Sequence, residues 1–497
     1  MSQLSNDSAV ETPRAQGDVL DTAAAGGLVV RGAILRVSGY AAGTVLALAS
    51  AVLLTRHLGV TLFGQYTTVI SVVTVATTLT DLGMTGLATR EFATRVGLDR
   101  ENLMRDVLGL RTAISVVAVG LATAFALTAG YNSERIIGTA LAGIGLALGS
   151  LQGTVAVPLF AMLRLGRTTG LELLRTAVWV GLLAILVFLN AGLLPLLAAT
   201  VPAGLVVLTA TALMTRDHMP IRPAVRPLAW VRLLRDTVTF SLATSVGAMY
   251  VFTTQIITSL ATTGEQNGLF AASFRVFVVA ASVASLAVSV AFPVLARAAR
   301  DDHERLRFAV QRLFEVMLIF GVATALGVVA GAKPIIEVVG GSAYAGAVGP
   351  LRIDAAAFIA SFLLPVWGIA LVSLHRHRAL ALANLIALST TAGLTVVLAS
   401  SHGATGAAVA TACGEWIICI AYVVALTHGE RRLSVHPAIA AKVAMAAVPG
   451  LAVMLLPLPA VAQLILALVV YAAGVLLLKA FPRELTELLP SRLQWLG

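Results

Sequence analysis

The chain has 497 residues, 58% of them hydrophobic and only 12% charged, with a mean hydropathy of +0.93 and a formal net charge of +10. Soluble proteins carry about 25% charged residues, so this composition excludes a string of soluble domains and a soluble enzyme. Apolar runs of about 20 residues, each long enough to cross a bilayer as a helix, recur along the whole length.

Residues 1–27 are polar and acidic, with Asp7, Glu11, Asp18, Asp21 and Pro13, and end at Gly26-Gly27. They lack a basic region followed by an apolar core and read as a disordered cytoplasmic tail rather than a signal peptide. Fourteen transmembrane helices then follow, predicted at 34–55, 66–88, 112–129, 136–160, 173–190, 192–214, 237–261, 268–296, 313–332, 353–374, 379–400, 403–427, 437–456 and 459–480. The divisions between the fifth and sixth, and between the last two, rest on Asn190-Ala191-Gly192 and Pro457-Leu458-Pro459.

Charge tests the map. With both termini cytoplasmic, every one of the 34 Lys and Arg falls on the inner side except Arg56, Arg135, Arg275, Lys333 and Arg352. That is a strong positive-inside asymmetry. The net charge is therefore a matter of topology, with basic loops against an anionic leaflet, and nucleic-acid binding is not implied.

The chain also carries weak internal symmetry. LLTRHLGVTLFGQYTTVISVV joins the first two spans, and IITSLATTGEQNGLFAASFRVFVV joins the seventh and eighth. Each runs from an apolar end through a short polar turn to Gly-x-aromatic, Gly64-Gln65-Tyr66 and Gly268-Leu269-Phe270. The expected organisation is an all-α polytopic membrane protein. Its parts are an N-terminal lobe of six helices at 28–214, a basic linker at 215–236, a C-terminal lobe of six at 237–427, and two appended helices with a short cytoplasmic tail at 428–497. Parallel repeats of this kind place a site between the lobes and work by alternating access.

Charges inside spans are costly and default to functional hypotheses. Arg275 lies about seven residues into the eighth span, and Glu415 lies midway along the twelfth. Asp81 is near the inner end of the second span, Asp354 and Arg352 at the outer start of the tenth, and Arg36 at the inner start of the first. Glu172 and Arg175 stand together at the start of the fifth, where they can pair and anchor the helix at the interface. Gln152, Gln255 and Asn384 are dispersed polar groups open to glycan contact. Cys413 and Cys419 share one apolar run and read as packing residues. No P-loop, HExxH or acid pair is present and the outer loops are short. The chain therefore reads as a non-enzyme with no cofactor and no metal.

Several stretches carry a family resemblance: LTRHLGVTLFGQY at 54–66, LTDLGMTGLATREFATR at 79–95, GLFAASFRVF at 268–277 with AFPVLARAA at 291–299, VVGGSAYAGAVGPLRI at 338–353 and HGATGAAVATACGEW at 402–416. In this order they resemble the polysaccharide-transport branch of the multidrug/oligosaccharidyl-lipid/polysaccharide exporter superfamily. That branch includes the O-antigen flippases and, at greater distance, the lipid II flippase. The resemblance implies two bundles around a central cavity and a flippase for a polyprenyl-pyrophosphate-linked oligosaccharide in the bacterial cytoplasmic membrane. The partners it implies are the lipid-linked glycan, membrane lipids, and a glycan polymerase or assembly proteins. Arg275 matches the family's eighth-helix arginine, which is thought to hold pyrophosphate. Arg36 and Arg56 match the first-helix arginines less closely, and Arg90 lacks the second-helix pattern. Asp354, Glu415 and Asp81 are the acids open to coupling or gating. The alternatives are a cation-coupled multidrug exporter of the same superfamily and a non-transport scaffold for envelope glycan assembly.

Overall fold

The structure is a computed structural model that describes residues 23–81, 84–162, 164–219, 222–301, 303–428, 433 and 435–480. Within its helices, the side chains at 23–38, 40–41, 79–81, 165, 236–244, 248, 290–294, 296–301 and 303 lie outside the description.

The described residues are helical almost throughout, which follows from the solvent. Hydrocarbon offers backbone amides no partner, so each spanning segment must satisfy them internally. In chain order the helices are α1 (Ala23–Asp81), α2 (Met84–Thr94), α3 (Gly97–Thr128), α4 (Ser133–Val155), α5 (Val157–Ala161), α6 (Leu165–Phe188), α7 (Leu193–Ala198) and α8 (Thr200–Thr215). Then come α9 (Pro227–Ala261), α10 (Gly264–Asp301), α11 (His303–Gly340), α12 (Val348–Ser373), α13 (His377–Thr427), α14 (Ala438–Ala452) and α15 (Ala460–Leu477). Eleven helical segments among the described residues are long and apolar enough to cross a membrane.

Two of these helices are each a pair. α1 is broken at Gly59 (φ 67°) and α13 at Gly403 (φ 58°). Both glycines adopt a left-handed conformation that an L side chain resists. The polar stretch 56–65, expected as an outer loop, is therefore helix on both sides of one glycine. The turn at Gly403 is held by Gln266, whose side-chain oxygen accepts from the Ala404 amide at 3.0 Å.

Other boundaries move as well. α1 begins at Ala23, so residues 23–27 are helical where a disordered tail was expected, and residues 1–22 lie outside the described residues. α6 begins at Leu165, eight residues before the expected start of the fifth span. α9 begins at Pro227, inside the expected linker. Near Ala224 the linker backbone lies on α3, where the Ala224 amide donates to the Arg105 carbonyl at 3.0 Å. Arg226 stands 3.8 Å from the Asp106 carboxylate there.

The helices pack as two lobes. α3, α4 and α6 pack with α1, α8 packs on α4 and α6, and α9, α10, α11, α12 and α13 form the second bundle. α14 and α15 pack on each other and on the outside of α11. The lobes meet where α1 lies along α9 and α10.

A close approach occurs at Gly64 of α1 and Gly268 of α10, the two glycines of the repeated Gly-x-aromatic signal. A Cβ on Gly64 would stand 2.8 Å from the Gly268 amide nitrogen and 2.9 Å from its Cα. Small residues at such a crossing let backbones touch and supply close packing where lipid offers no hydrophobic drive.

Candidate functional site

A cavity of about 480 Å³ lies between the lobes. Its wall takes Ser50, Tyr66 and Ile70 from α1, Gly145 and Gly149 from α4, and Trp179 from α6. Phe252 and Gln255 come from α9, and Phe274 and Arg275 from α10. Residues on both sides of Gly59 line the same space, so the bend in α1 builds the cavity. The charged residues on this wall are Arg175 and Arg275.

Arg275 is half-buried and has no ion pair or hydrogen bond among the described residues; its polar neighbour is the Tyr66 ring. α10 starts at Gly264, four residues before the expected span, so Arg275 sits about 16 Å along its helix at about 1.5 Å per residue. That depth and the cavity beside it distinguish it from a snorkelling anchor. A second cavity of about 430 Å³ adjoins the first through shared Arg175 and Thr176, and adds Gly39, Gly43, Glu172 and Ser282 to the lining.

Toward the Gly59 end the lobes are tied together. The Asn267 amide donates to the Thr68 hydroxyl at 3.1 Å and accepts from Gln255 at 2.8 Å. The Thr55 hydroxyl donates to the Val339 carbonyl at 2.5 Å, and the Tyr344 hydroxyl donates to the Thr55 carbonyl at 3.1 Å. With the Gly64–Gly268 crossing, these bonds close the cavity at the Gly59 end.

The residues singled out in the sequence are distributed unequally. Arg275 is on the cavity wall. Arg56 is not; its guanidinium donates to the carbonyls of Val338 at 2.9 Å and Glu337 at 3.4 Å, in the last turn of α11. Arg36 and Asp81 have side chains outside the described residues.

Glu415 is 6% exposed and sits inside the second bundle, where it accepts from the Ser361 hydroxyl at 2.7 Å and the Tyr250 hydroxyl at 3.2 Å. It thereby joins α9, α12 and α13. Asp354, expected at a helix end, lies in the second turn of α12, fully buried beside Ser273. Of the three dispersed amides, Gln255 reaches the cavity. Gln152 donates to Thr211 at 3.2 Å, and Asn384 accepts from Tyr422 at 2.6 Å, both within their own lobes.

Arg175 and Glu172 are the residues whose place sequence reasoning missed. Read as a pair at the start of a span, they form no ion pair with each other and line the cavities instead. The missed signal was the polar but uninterrupted stretch LGRTTGLELL, which extends α6 backward by two turns.

The comparisons agree with this architecture. The structure superposes on the lipid II flippase MurJ in an inward closed conformation with a TM-score of 0.73, at 12% identity, covering 89% of this chain and 98% of that one. It also matches an inward-facing multidrug resistance MATE family transporter of the MOP superfamily, with a TM-score of 0.63 at 13% identity over 78% of this chain and 96% of the other. A MOP superfamily transporter from Pyrococcus furiosus matches with a TM-score of 0.57 at 14% identity, covering 80% and 94%. No curated protein sequence matches the chain. At these identities the likeness is one of fold. The family follows from the sequence itself: the model described as polysaccharide biosynthesis protein matches residues 29–299, more than half the chain. This multi-pass membrane protein with a MurJ- and MATE-like fold therefore belongs to the polysaccharide biosynthesis protein family.

Proposed function

We propose that the protein is a flippase that moves a polyprenyl-pyrophosphate-linked oligosaccharide from the inner to the outer leaflet of the bacterial cytoplasmic membrane by alternating access. The observation that carries this reading is the charge of the cavity: the charged side chains on its wall are arginines, and Arg275 has no protein counter-ion among the described residues. A pyrophosphate cannot cross hydrocarbon alone, and arginine offers it a forked, permanently protonated donor. An exporter of cationic drugs would need the opposite polarity.

The seal at the Gly59 end supports an inward-facing resting state, in which the headgroup enters from the cytoplasmic side while the lipid tail stays in the membrane. In this reading the chain crosses fourteen times with both termini cytoplasmic, since the halves of α1 and α13 cross separately and α9, whose apolar part is Ser245–Ala261, crosses as well. Arg36 belongs to the headgroup path by its place on the first crossing. Arg56, through its bonds to α11, belongs to the outer closure. Energy input is assigned to Glu415 and Asp354, buried acids in the second lobe whose charge state can respond to a proton or cation; Asp81 is held for gating on the inner side.

The test is depletion of the protein, followed by measurement of which polyprenyl-linked intermediate accumulates in the inner leaflet. Arg275→Ala should reproduce that accumulation at normal abundance, and Arg275→Lys should relieve it in part. Accumulation of no such lipid, with heightened drug sensitivity in its place, would overturn the proposal in favour of the exporter.

A further inference from the structure

Arg175 stands at the junction of the two cavities, on the walls of both: the first, toward Gly59, is the upper cavity, and the second, toward Gly39, is the lower. It lies ten residues into α6, about 15 Å along the helix from Leu165 at about 1.5 Å per residue. Arg275 lies at a similar distance from the start of its own helix, α10, on the opposite lobe. The exposed surface of Arg175 therefore faces a cavity, and its guanidinium has no ion-pair or hydrogen-bond partner among the described residues. The nearest acid on its own helix is Glu172, three residues earlier, which lines the lower cavity without pairing to it.

An i,i+3 ion pair on a helix is weak and easily exchanged. A phosphate that takes two parallel hydrogen bonds from a guanidinium is the stronger partner. The upper cavity thus holds two uncompensated positive charges, one from each lobe, and the lower cavity holds one such charge beside one acid.

We propose that Arg175 binds the phosphate of the transported headgroup where the two cavities join and passes it to Arg275, with Glu172 the nearby carboxylate whose negative charge opposes that binding. This rests on the flippase reading and deepens it. The path is a two-step relay from the lower cavity to the upper, and it runs from the first lobe to the second. A phosphate bridging the two arginines also supplies the counter-charge that lets the lobes approach each other, so the loaded protein closes its inner side more readily than the empty one. Thr176, shared by both walls, provides a hydroxyl at the same junction.

The experiment uses the full-length protein in nanodiscs, with polyprenyl pyrophosphate lacking sugar as the probe, inorganic pyrophosphate as a second probe, and phosphatidylglycerol as the ordinary-phospholipid control. Loss of charged hydrogen bonds of this kind weakens binding by about tenfold to a hundredfold. Arg175→Gln should weaken both pyrophosphate probes by that factor. Arg175→Lys should recover part of the loss, and Glu172→Gln should tighten binding. Wild-type affinity in Arg175→Gln together with loss in Arg275→Ala overturns the relay and leaves the flippase reading standing. Wild-type affinity in both variants overturns the flippase reading itself. A loss confined to phosphatidylglycerol overturns the relay by making Arg175 a phospholipid anchor. Should Arg175→Gln fail to fold, Glu172→Gln decides: unchanged affinity there overturns the proposal.

Discussion

In the proposed alternating-access cycle the contact between Gly64 and Gly268 belongs to the state closed at that end, which makes it a lever on the conformational equilibrium. In Gly268→Ala the new methyl would run into the Val60 carbonyl, and in Gly64→Ala it would stand 2.8 Å from the Gly268 amide nitrogen. Both obstacles are backbone and cannot rotate away. Overpacking of this kind costs about 1–3 kcal/mol. Because the open state separates the two helices, the cost falls on the closed state alone. At about 1.4 kcal/mol per tenfold change in an equilibrium constant, the population open at the Gly59 end should rise by about fivefold to a hundredfold. The assay is labelling of Thr68→Cys by a membrane-impermeant maleimide from the outer side, in a background with Cys413→Ala and Cys419→Ala. Thr68 is 1% exposed under the seal, so its labelling reports opening. The rate should rise in Gly268→Ala and, to a lesser degree, in Gly64→Ala. Unchanged labelling in both, with normal folding, would refute the idea that this crossing is the seal.

Two further outcomes follow from the described geometry. Gly59→Ala and Gly403→Ala each place a side chain at positive φ, at a cost of about 1–2 kcal/mol. At Gly59 nothing lies within 4 Å of the new methyl, whereas at Gly403 it meets Gln266. Thermal unfolding in detergent should therefore show Gly403→Ala as the more destabilised, and Gln266→Ala added to it should recover part of the steric component. Glu415→Gln keeps one acceptor oxygen for Ser361 and Tyr250, so the fold should survive with only a small drop in thermal midpoint. Transport in proteoliposomes should then lose its dependence on an imposed proton or sodium gradient. Full retention of gradient dependence would relegate Glu415 to a structural tie between α9, α12 and α13.

The sequence by itself determined that the chain is a helical membrane protein and roughly where each helix lies. These properties are local and solvent-imposed. Hydrocarbon thickness sets the length of an apolar run, and the lack of water forces the helix. Arg275 was legible for the same reason, since a charge deep in an apolar run stands out without any knowledge of its neighbours. Arg175 did not stand out, because its helix begins within a polar stretch that reads as loop, and its facing depends on where that helix starts. Arg56 and Asp354 read as charges near helix ends. Only packing decided that Arg56 would reach the carbonyls of α11 and that Asp354 would be enclosed completely. The direct touch of Gly64 on Gly268, 204 positions apart in the chain, also belonged to the tertiary structure. Which faces of two helices meet is set by the summed packing of both lobes, and no local pattern contains that sum.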